Sequence, residues 1–392
     1  MSLFENQIPL MKPWLTEEEW HSVKDVILSG WVSQGPKVQE FENAVANFIG
    51  VKYAVAVNAC TSAIHLGLKI QGVKYGDDVL VADTTCMANV NAIKMVGANP
   101  VFVDIDKDTF NIDPNLIEKA ITPKTKAILN IDQIGLANDL DAIDAIAKKH
   151  NLVVVDDAAT AMGGKYKGKY LGTQGMLTTF SFHPRKIITT GEGGMLLTDD
   201  ATIAEQARIL RATGASVSDL DRHKAKGVIL QKYYDSGYNY RLTDIQAAIG
   251  LVQMTKIEKI LEERNNQAQL LNEALNNIDE LIAPFVPSYA IHAYSSYCIK
   301  IADNCSITPE LILNKMAEKN ISCRFGIQPL HNEPYFEKDG WKDTMFPVAC
   351  QVAKKTFFVP IFPGLSENNI HYIIDSLKEI IAEFKSAPKV IV

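Results

Sequence analysis

TTFSFHPRKIITTGEGGMLLT, from Thr178 to Thr198, is two apolar runs around a polar loop. Residues 178–182 and 195–198 have the β-rich, apolar texture of buried strands, and the loop between them carries Lys186 with glycines at 191, 193 and 194. A lysine tethered against a buried sheet is kept from bulk water. That disfavours its charged form and makes its amine a usable nucleophile. A loop lysine is more often simply solvated, so its neighbours must decide.

Working outward, apolar strands are expected at 54–57, 79–82, 100–103, 127–131 and 152–155, with helices between them at 62–70, 87–96, 114–121 and 139–149. Strands apolar throughout and separated by helices describe an α/β domain, a mostly parallel sheet covered on both faces. Ligands of such sheets gather at the carboxyl ends of the strands. Ahead of the sheet, Thr16 and Glu19 form a capping box for a helix with Trp20, Val23 and Ile27 on its apolar face and Gly30 as its stop. Pro36 opens a second helix, with Val38, Phe41, Val45 and Phe48 at helical spacing. Behind the sheet come a helix at 201–212, a polar loop at 214–227, and one long helix or two joined ones at 243–275. After Pro284 a strand at 295–301, a helix at 309–319, a loop to 347 and a closing helix at 367–384 make a smaller α+β unit. The expected division is a large domain at 1–255 and a small one at 256–392.

The 392 residues are 47% hydrophobic and 22% charged, the balance of a globular protein, and the net charge is −7. No basic stripe is available to neutralise phosphates, so nucleic acid is not an expected partner. The N-terminus lacks a basic segment followed by an apolar core, and no apolar run nears the roughly 20 residues that span a bilayer. The six cysteines are scattered with no CxxC pair. Reduced thiols in a cytoplasmic protein without a metal site are the expectation.

Chemistry enters at Val153-Val154-Val155-Asp156-Asp157. A buried strand ending in an acid sets that acid at the mouth of the sheet, although a plain helix cap reads the same way. Asp157 and Lys186 at neighbouring strand ends are what pyridoxal 5'-phosphate requires: an amine to bind it covalently, and a carboxylate to keep its ring nitrogen protonated. Its phosphate needs donors as well. Thr61 and Ser62 stand where a strand passes into a helix, with free N–H groups and a favourable dipole. Ser181, five residues before the lysine, is a third candidate contact.

The chain resembles, over nearly its whole length, the DegT/StrS-type family of fold type I sugar aminotransferases. The motifs carrying the resemblance are GWVSQGPKVQEFE (30–42), VNACTSAIHLGL (57–68), VVVDDAATAMG (153–163), FSFHPRKIITTGEGG (180–194), GYNYRLTDIQAAIG (237–250) and QPLHNEPY (328–335). The resemblance implies that Lys186 binds the cofactor and Asp157 partners its ring nitrogen, while Thr61, Ser62 and Ser181 bind its phosphate. It implies further that Asn239 reaches the phosphate of a neighbouring subunit, which makes a homodimer with shared sites. The amino donor is then L-glutamate and the acceptor a keto or aldehydo sugar.

The departures from the family pattern concern the ring environment. Thr160 stands where Gln or His is usual, Cys86 where an aromatic residue stacks on the ring, and Cys60 where glycine is usual. They favour, over a nucleotide-linked 4-keto-6-deoxy sugar of the perosamine-synthase type, an unlinked eight-carbon keto-acid sugar aminated at C8 to 8-amino-3,8-dideoxy-octulosonate. His183, Arg185, Arg324 and His331 are candidates for holding an anionic substrate, each with a plain structural alternative. A dehydratase of this fold carries histidine in place of the lysine, and a non-catalytic regulator is expected to lose Lys186 or Asp157. Neither change is present. TGEGG is a poor phosphate loop, because its lysine precedes the glycines and no GK[ST] follows.

Overall fold

In the computed structural model, which describes residues 7–217, 225, 227 and 230–386, seven strands form one sheet in the order β1-β9-β8-β5-β4-β2-β3. They are β1 (Tyr53–Val57), β2 (Asp78–Ala82), β3 (Asn99–Val103), β4 (Thr125–Ile131), β5 (Val153–Asp157), β8 (Leu177–Ser181) and β9 (Gly194–Thr198). Pairing is parallel from β3 through to β8. β9 alone runs against both its neighbours, β1 and β8. The reason is local: β8 and β9 are joined by the short lysine loop, which returns the chain beside itself, whereas parallel strands need a crossover. The helices α1 (Glu17–Ser29), α2 (Pro36–Ile49), α3 (Cys60–Ile70), α4 (Met87–Met95), α5 (Pro114–Ala120), α6 (Leu140–His150) and α7 (Ala201–Arg211) flank this sheet. A small sheet of β6 (Lys165–Tyr166), β7 (Lys169–Tyr170) and β11 (Ala290–Ile291) lies apart from it.

Residues 244–275 are one helix, α8 (Asp244–Leu275), opened by a capping box of Thr243 with Gln246. Its Ile257 and Ile260 belong to the apolar cluster around Phe41 and Phe182, while Ala268, Leu271 and Leu275 belong to another around Tyr297 and Phe357. The apolar cluster served by the helix thus changes along α8, while Cys298, Ile327 and Phe358 still pack into the cluster of the large sheet. The second sheet, β10-β12-β14-β13, is antiparallel: β10 (Leu281–Ile282), β12 (Tyr297–Ile301), β13 (Arg324–Phe325) and β14 (Thr356–Val359). Helices α9 (Pro309–Glu318), α10 (Pro347–Ala353) and α11 (Glu367–Ser386) complete this unit. β13, α10 and β14 were not legible in the sequence. A buried run as short as Thr356–Val359 has no period that separates strand from helix. Of the polar loop at 214–227, residues 218–224 and 226 lie outside the described residues; Ala215 bridges Tyr233.

The first helix corrects one expectation. Its capping box forms, with Thr16 N–H donating to Glu19 Oε2 at 2.7 Å, and Gly30 ends it at φ 75°. Yet Trp20, Ile27 and Leu28 are exposed at 63%, 52% and 74%. The face turned to α8 is instead held by Val26 and by Glu19, which accepts from Gln253 at 2.7 Å and from Lys256 at 2.8 Å. The helix is anchored by polar contacts, and its apolar side is left open.

Beneath the sheet's edge Arg211 and Glu42 form a buried ion pair. Arg211 Nη1 also donates to Ala56 O at 2.6 Å, and Ala56 N–H donates to Glu42 Oε1 at 2.9 Å. One pair thus ties α2, α7 and β1 together. Removing one partner leaves a buried charge uncompensated, so Arg211→Ala is expected to destabilise the fold by about 3–5 kcal/mol. The double exchange Glu42→Gln with Arg211→Met should recover most of that. Thermal unfolding of the three proteins checks both expectations.

Candidate active site

Asp157 ends β5 and is 5% exposed. Side chains alternate along a strand, so Asp156 and Asp157 serve opposite faces. Asp156 faces Asn130, whose Nδ2 donates to it at 2.7 Å, and Thr178, whose Oγ1 donates at 3.3 Å. Asp157 faces a cavity of about 370 Å³, where Asn89 Nδ2 donates to its Oδ2 at 2.7 Å and Ala159 N–H to its Oδ1 at 3.0 Å. The Cys60 thiol lies 3.8 Å from the same Oδ1. Burial pushes the Asp157 carboxyl above its ordinary value, against Asn89, the charge of Lys186, and the Ala159 and Cys60 bonds. Desolvation wins. A cation beside this carboxylate, such as a protonated ring nitrogen, would restore its charged form.

Lys186 lines the same cavity, half-buried. Its loop is held by its own backbone: Lys186 N–H donates to His183 O at 2.8 Å and Thr190 N–H to Phe182 O at 3.0 Å. Thr189 Oγ1 donates to Phe182 O at 2.9 Å. Phe182 is fully buried against Phe41, ring centroids 5.0 Å apart. The lysine therefore hangs from a rigid turn bolted into the core, which suits a group that must be placed accurately.

The third wall is the start of α3. Ala59 supplies no side-chain cap, and the N–H groups of Cys60 and Thr61 meet no acceptor among the described residues. Two free donors and the positive end of a helix dipole make an anion site. Gly194 lets this turn close on the sheet, because a Cβ there would stand 2.5 Å from Ala59 C and Cys60 N. Ser181 pairs with Gly194 across β8 and β9 and lines the cavity with Thr61. An acid, an amine and a phosphate-sized nest around one cavity fit pyridoxal phosphate.

The other expected residues divide. Thr160, Cys86, His183 and Arg185 line the cavity. Thr160 Oγ1 donates to Asp132 O at 2.9 Å, so its hydroxyl hydrogen is already used. Burial lowers the His183 pKa, and its Nδ1 accepts from Arg185 N–H at 3.1 Å. Ser62 turns its hydroxyl to Asn58 Oδ1 at 2.7 Å and is not on the cavity wall. Asn239 is exposed, bridges Ala212 and does not line this chain's cavity. Arg324 lines a neighbouring cleft, which Arg185 shares. His331 is the clear departure. It is buried, with Nδ1 2.7 Å from Asp83 Oδ2 and Nε2 3.1 Å from Asp343 Oδ1, and so it ties the segment after Pro329 to the end of β2. With both nitrogens occupied it has none for a substrate. Cys350 sits beside it, but the Asp343 bond already takes the Nε2 that a metal would need.

Three wall residues with polar or charged side chains escaped sequence reasoning: Asn89, Gln133 and Glu192. Asn89 is a buried amide among Val90, Ala92 and Ile93 on α4, and that incongruity was its only signal. Its partner lies 68 positions along the chain.

A model of the DegT/DnrJ/EryC1/StrS aminotransferase family matches residues 13–378. The spore coat polysaccharide biosynthesis protein SpsC of Bacillus subtilis is 38% identical over 377 residues, 95% of this chain and 97% of that protein. Among solved structures, the pyridoxal-phosphate form of the candidate sugar aminotransferase Spr1654 of Streptococcus pneumoniae superposes with a TM-score of 0.88 at 27% identity, covering 96% and 99% of the two chains. PseC of Helicobacter pylori, an aminotransferase in pseudoaminic acid biosynthesis, gives 0.87 at 25% identity over 97% and 100%. The chain belongs to the DegT/DnrJ/EryC1/StrS aminotransferase family, with its fold and its pyridoxal-phosphate dependence.

Behind the cavity, burial pushes Asp156 up to about 7, and burial with the charge of Asp156 holds Asp132 well above the carboxylate range. The folded state thus keeps a proton on Asp156 that the unfolded chain releases at lower pH, so this group's burden on stability grows as pH rises from about 4 to about 7. Asp156→Asn should therefore raise the unfolding temperature more at pH 8 than at pH 5. A gain that is equal at both, or larger at pH 5, contradicts this assignment.

Proposed function

We propose, taking family membership as the premise, that this protein moves the amino group of L-glutamate to a keto or aldehydo sugar destined for a surface polysaccharide. The observation that carries the reading is that Lys186 and Asp157 face one cavity whose third wall is the open end of α3. Pyridoxal phosphate supplies a carbonyl carbon that carries nitrogen between substrates and a ring that accepts the electrons of a broken C–H bond. Lys186 anchors it and, once displaced by the incoming amine, moves the proton from the donor's Cα. Asp157, held by Asn89 and Ala159, keeps a proton on the ring nitrogen. The N–H groups of Cys60 and Thr61, with the hydroxyls of Thr61 and Ser181, take the phosphate. Cys86 and Thr160 line the cavity that would hold the ring, and they leave more room there than an aromatic residue and a longer amide would.

For the acceptor we favour the unlinked eight-carbon keto-acid sugar, aminated at C8, in lipopolysaccharide-type synthesis. Kinship with SpsC, a polysaccharide biosynthesis protein, supports a surface polymer, and the open ring environment supports an unusual acceptor. A nucleotide-linked 4-keto-6-deoxy sugar is the second reading, favoured by GYNYRLTDIQAAIG. A homodimer is supported by two features. Asn239 is exposed and does not line its own chain's cavity, which leaves it free to serve a partner's, and α1 leaves Trp20, Ile27 and Leu28 uncovered. Six free thiols suit a cytoplasmic setting.

The purified protein should be yellow with bound cofactor, and L-glutamate should bleach it. Lys186→Ala should lack that band and lose activity by about 10²–10⁴-fold or more. Wild-type protein that takes up no pyridoxal phosphate would sink the proposal. A panel of the octulosonate aldehyde and nucleotide-linked keto sugars, scored by 2-oxoglutarate release over both half-reactions, decides the acceptor.

A further inference from the structure

Tyr238 and Tyr240 flank Asn239 in the GYNYR stretch, and both set their rings against α3, the helix whose open end is the anion nest. The two rings stack on each other, with centroids 4.9 Å apart and planes 9° from parallel. His65, in the second turn of α3 and 1% exposed, meets both edge-on, at 4.7 Å from Tyr238 and 5.8 Å from Tyr240. Its Nδ1 lies 3.0 Å from the Tyr240 hydroxyl, a contact between residues 175 positions apart. The main chain of Tyr240 is engaged as well. Its carbonyl accepts from Asn58 N–H at 2.8 Å, and its N–H donates to Arg211 O at 2.9 Å.

These contacts bracket the nest. Asn58 stands between the end of β1 and the N-cap Ala59, and His65 lies one turn beyond the free N–H groups of Cys60 and Thr61. One residue therefore holds both sides of the turn, by its carbonyl before the nest and by its hydroxyl after it. Arg211, which anchors Tyr240, is itself tied to Glu42 and to Ala56 O, so the bracket is fixed to the core. The nest has need of it. A first helical turn with unsatisfied N–H groups is prone to fray, and Ala59 offers no side-chain cap. From inside, the turn is held by Ser62, which donates to Asn58 Oδ1 at 2.7 Å, and by the close approach of Gly194 from β9.

Burial, then the charge of Lys69, lowers the His65 pKa to about 4, so the ring is neutral at ordinary pH. Among the described residues its Nε2 has no partner, and the Tyr240 hydroxyl is the hydrogen-bonding contact its side chain makes. Taking that hydroxyl away leaves a buried imidazole with neither nitrogen satisfied, and α3 or the ring must shift to find another partner. We infer that Tyr240 is a positioning residue for the cofactor phosphate: through Asn58 and His65 it holds the N–H groups of Cys60 and Thr61 where an anion needs them. Tyr240 does not line the cavity, so it acts through the turn and touches no ligand. The inference rests on the proposed placement of the phosphate and deepens it by adding a distant residue to the recognition of that one group. A charge-assisted N–H···O bond weakens steeply once its angle is bent, so a small tilt of α3 is enough to matter. Lys186 and Asp157, which hold the ring, stand on other elements and are left alone.

The test titrates full-length protein, freed of cofactor, with pyridoxal 5'-phosphate and with pyridoxal, which has the same ring and no phosphate. Binding is read from protein fluorescence. Tyr240→Phe keeps the stacked ring and loses only the hydroxyl. It should weaken pyridoxal phosphate by about tenfold or more and pyridoxal by less than about twofold. His65→Leu should do the same, whereas His65→Asn, whose amide can stand where Nδ1 does, should keep more of the preference for the phosphate. The His65 pair carries the test if Tyr240→Phe does not fold. Equal losses for the two ligands would make the contact a general packing feature, and no loss for either would make the hydroxyl idle; each result overturns the inference. Wild-type protein that binds both ligands alike sinks the nest as the phosphate site, and the inference with it. A wild type that prefers pyridoxal phosphate, beside variants that keep the whole preference, sinks the role of Tyr240 alone.

Discussion

Everything in the site depends on the cost of burying one carboxylate. Asp157 is driven into the carboxyl end of an apolar strand, and desolvation there outweighs two hydrogen bonds, a nearby thiol and the charge of Lys186. Its hydrogen bonds are made, yet burial still disfavours the charged form. In the function proposed above, the cofactor's protonated ring nitrogen is the cation that would favour that charge.

The architecture around Asp157 serves to keep three groups at fixed separation. Parallel strands bring their carboxyl ends to one edge, so β5 delivers the acid and the turn after β1 delivers the N-terminus of α3. The antiparallel β9 then does two things. It returns the lysine loop to the same edge, and its Gly194 lets the α3 turn approach to a distance no side chain would permit. Phe182 packed on Phe41 makes the loop an extension of the core rather than a mobile strap.

Much of this was legible beforehand because it is written in local patterns. The seven strands of the large sheet, the capping boxes of Thr16 and Thr243 and the glycine stop at Gly30 all follow from spacing within a few residues. Where the reading failed, the deciding contact was distant. Trp20 and Ile27 looked like a buried face, but Gln253 and Lys256 on α8 hold the helix by its polar side. His331 looked available to a substrate until Asp83 and Asp343 were seen to occupy both its nitrogens. Short apolar runs such as β14 gave no period to read.

The amino-acid sequence by itself determined the layered α/β plan, the presence of a lysine and an acid at neighbouring strand ends, and the family to which the chain belongs. Those depend on hydrophobic period and on residues close together in the chain, whose meaning survives without coordinates. Only the tertiary structure decided that Asn89 orients Asp157, that Ser62 turns away from the cavity, and that His331 is held between Asp83 and Asp343. The physical reason is that a hydrogen bond or a field acts over a few ångströms, and separation along the chain says nothing of that distance until the backbone has been folded.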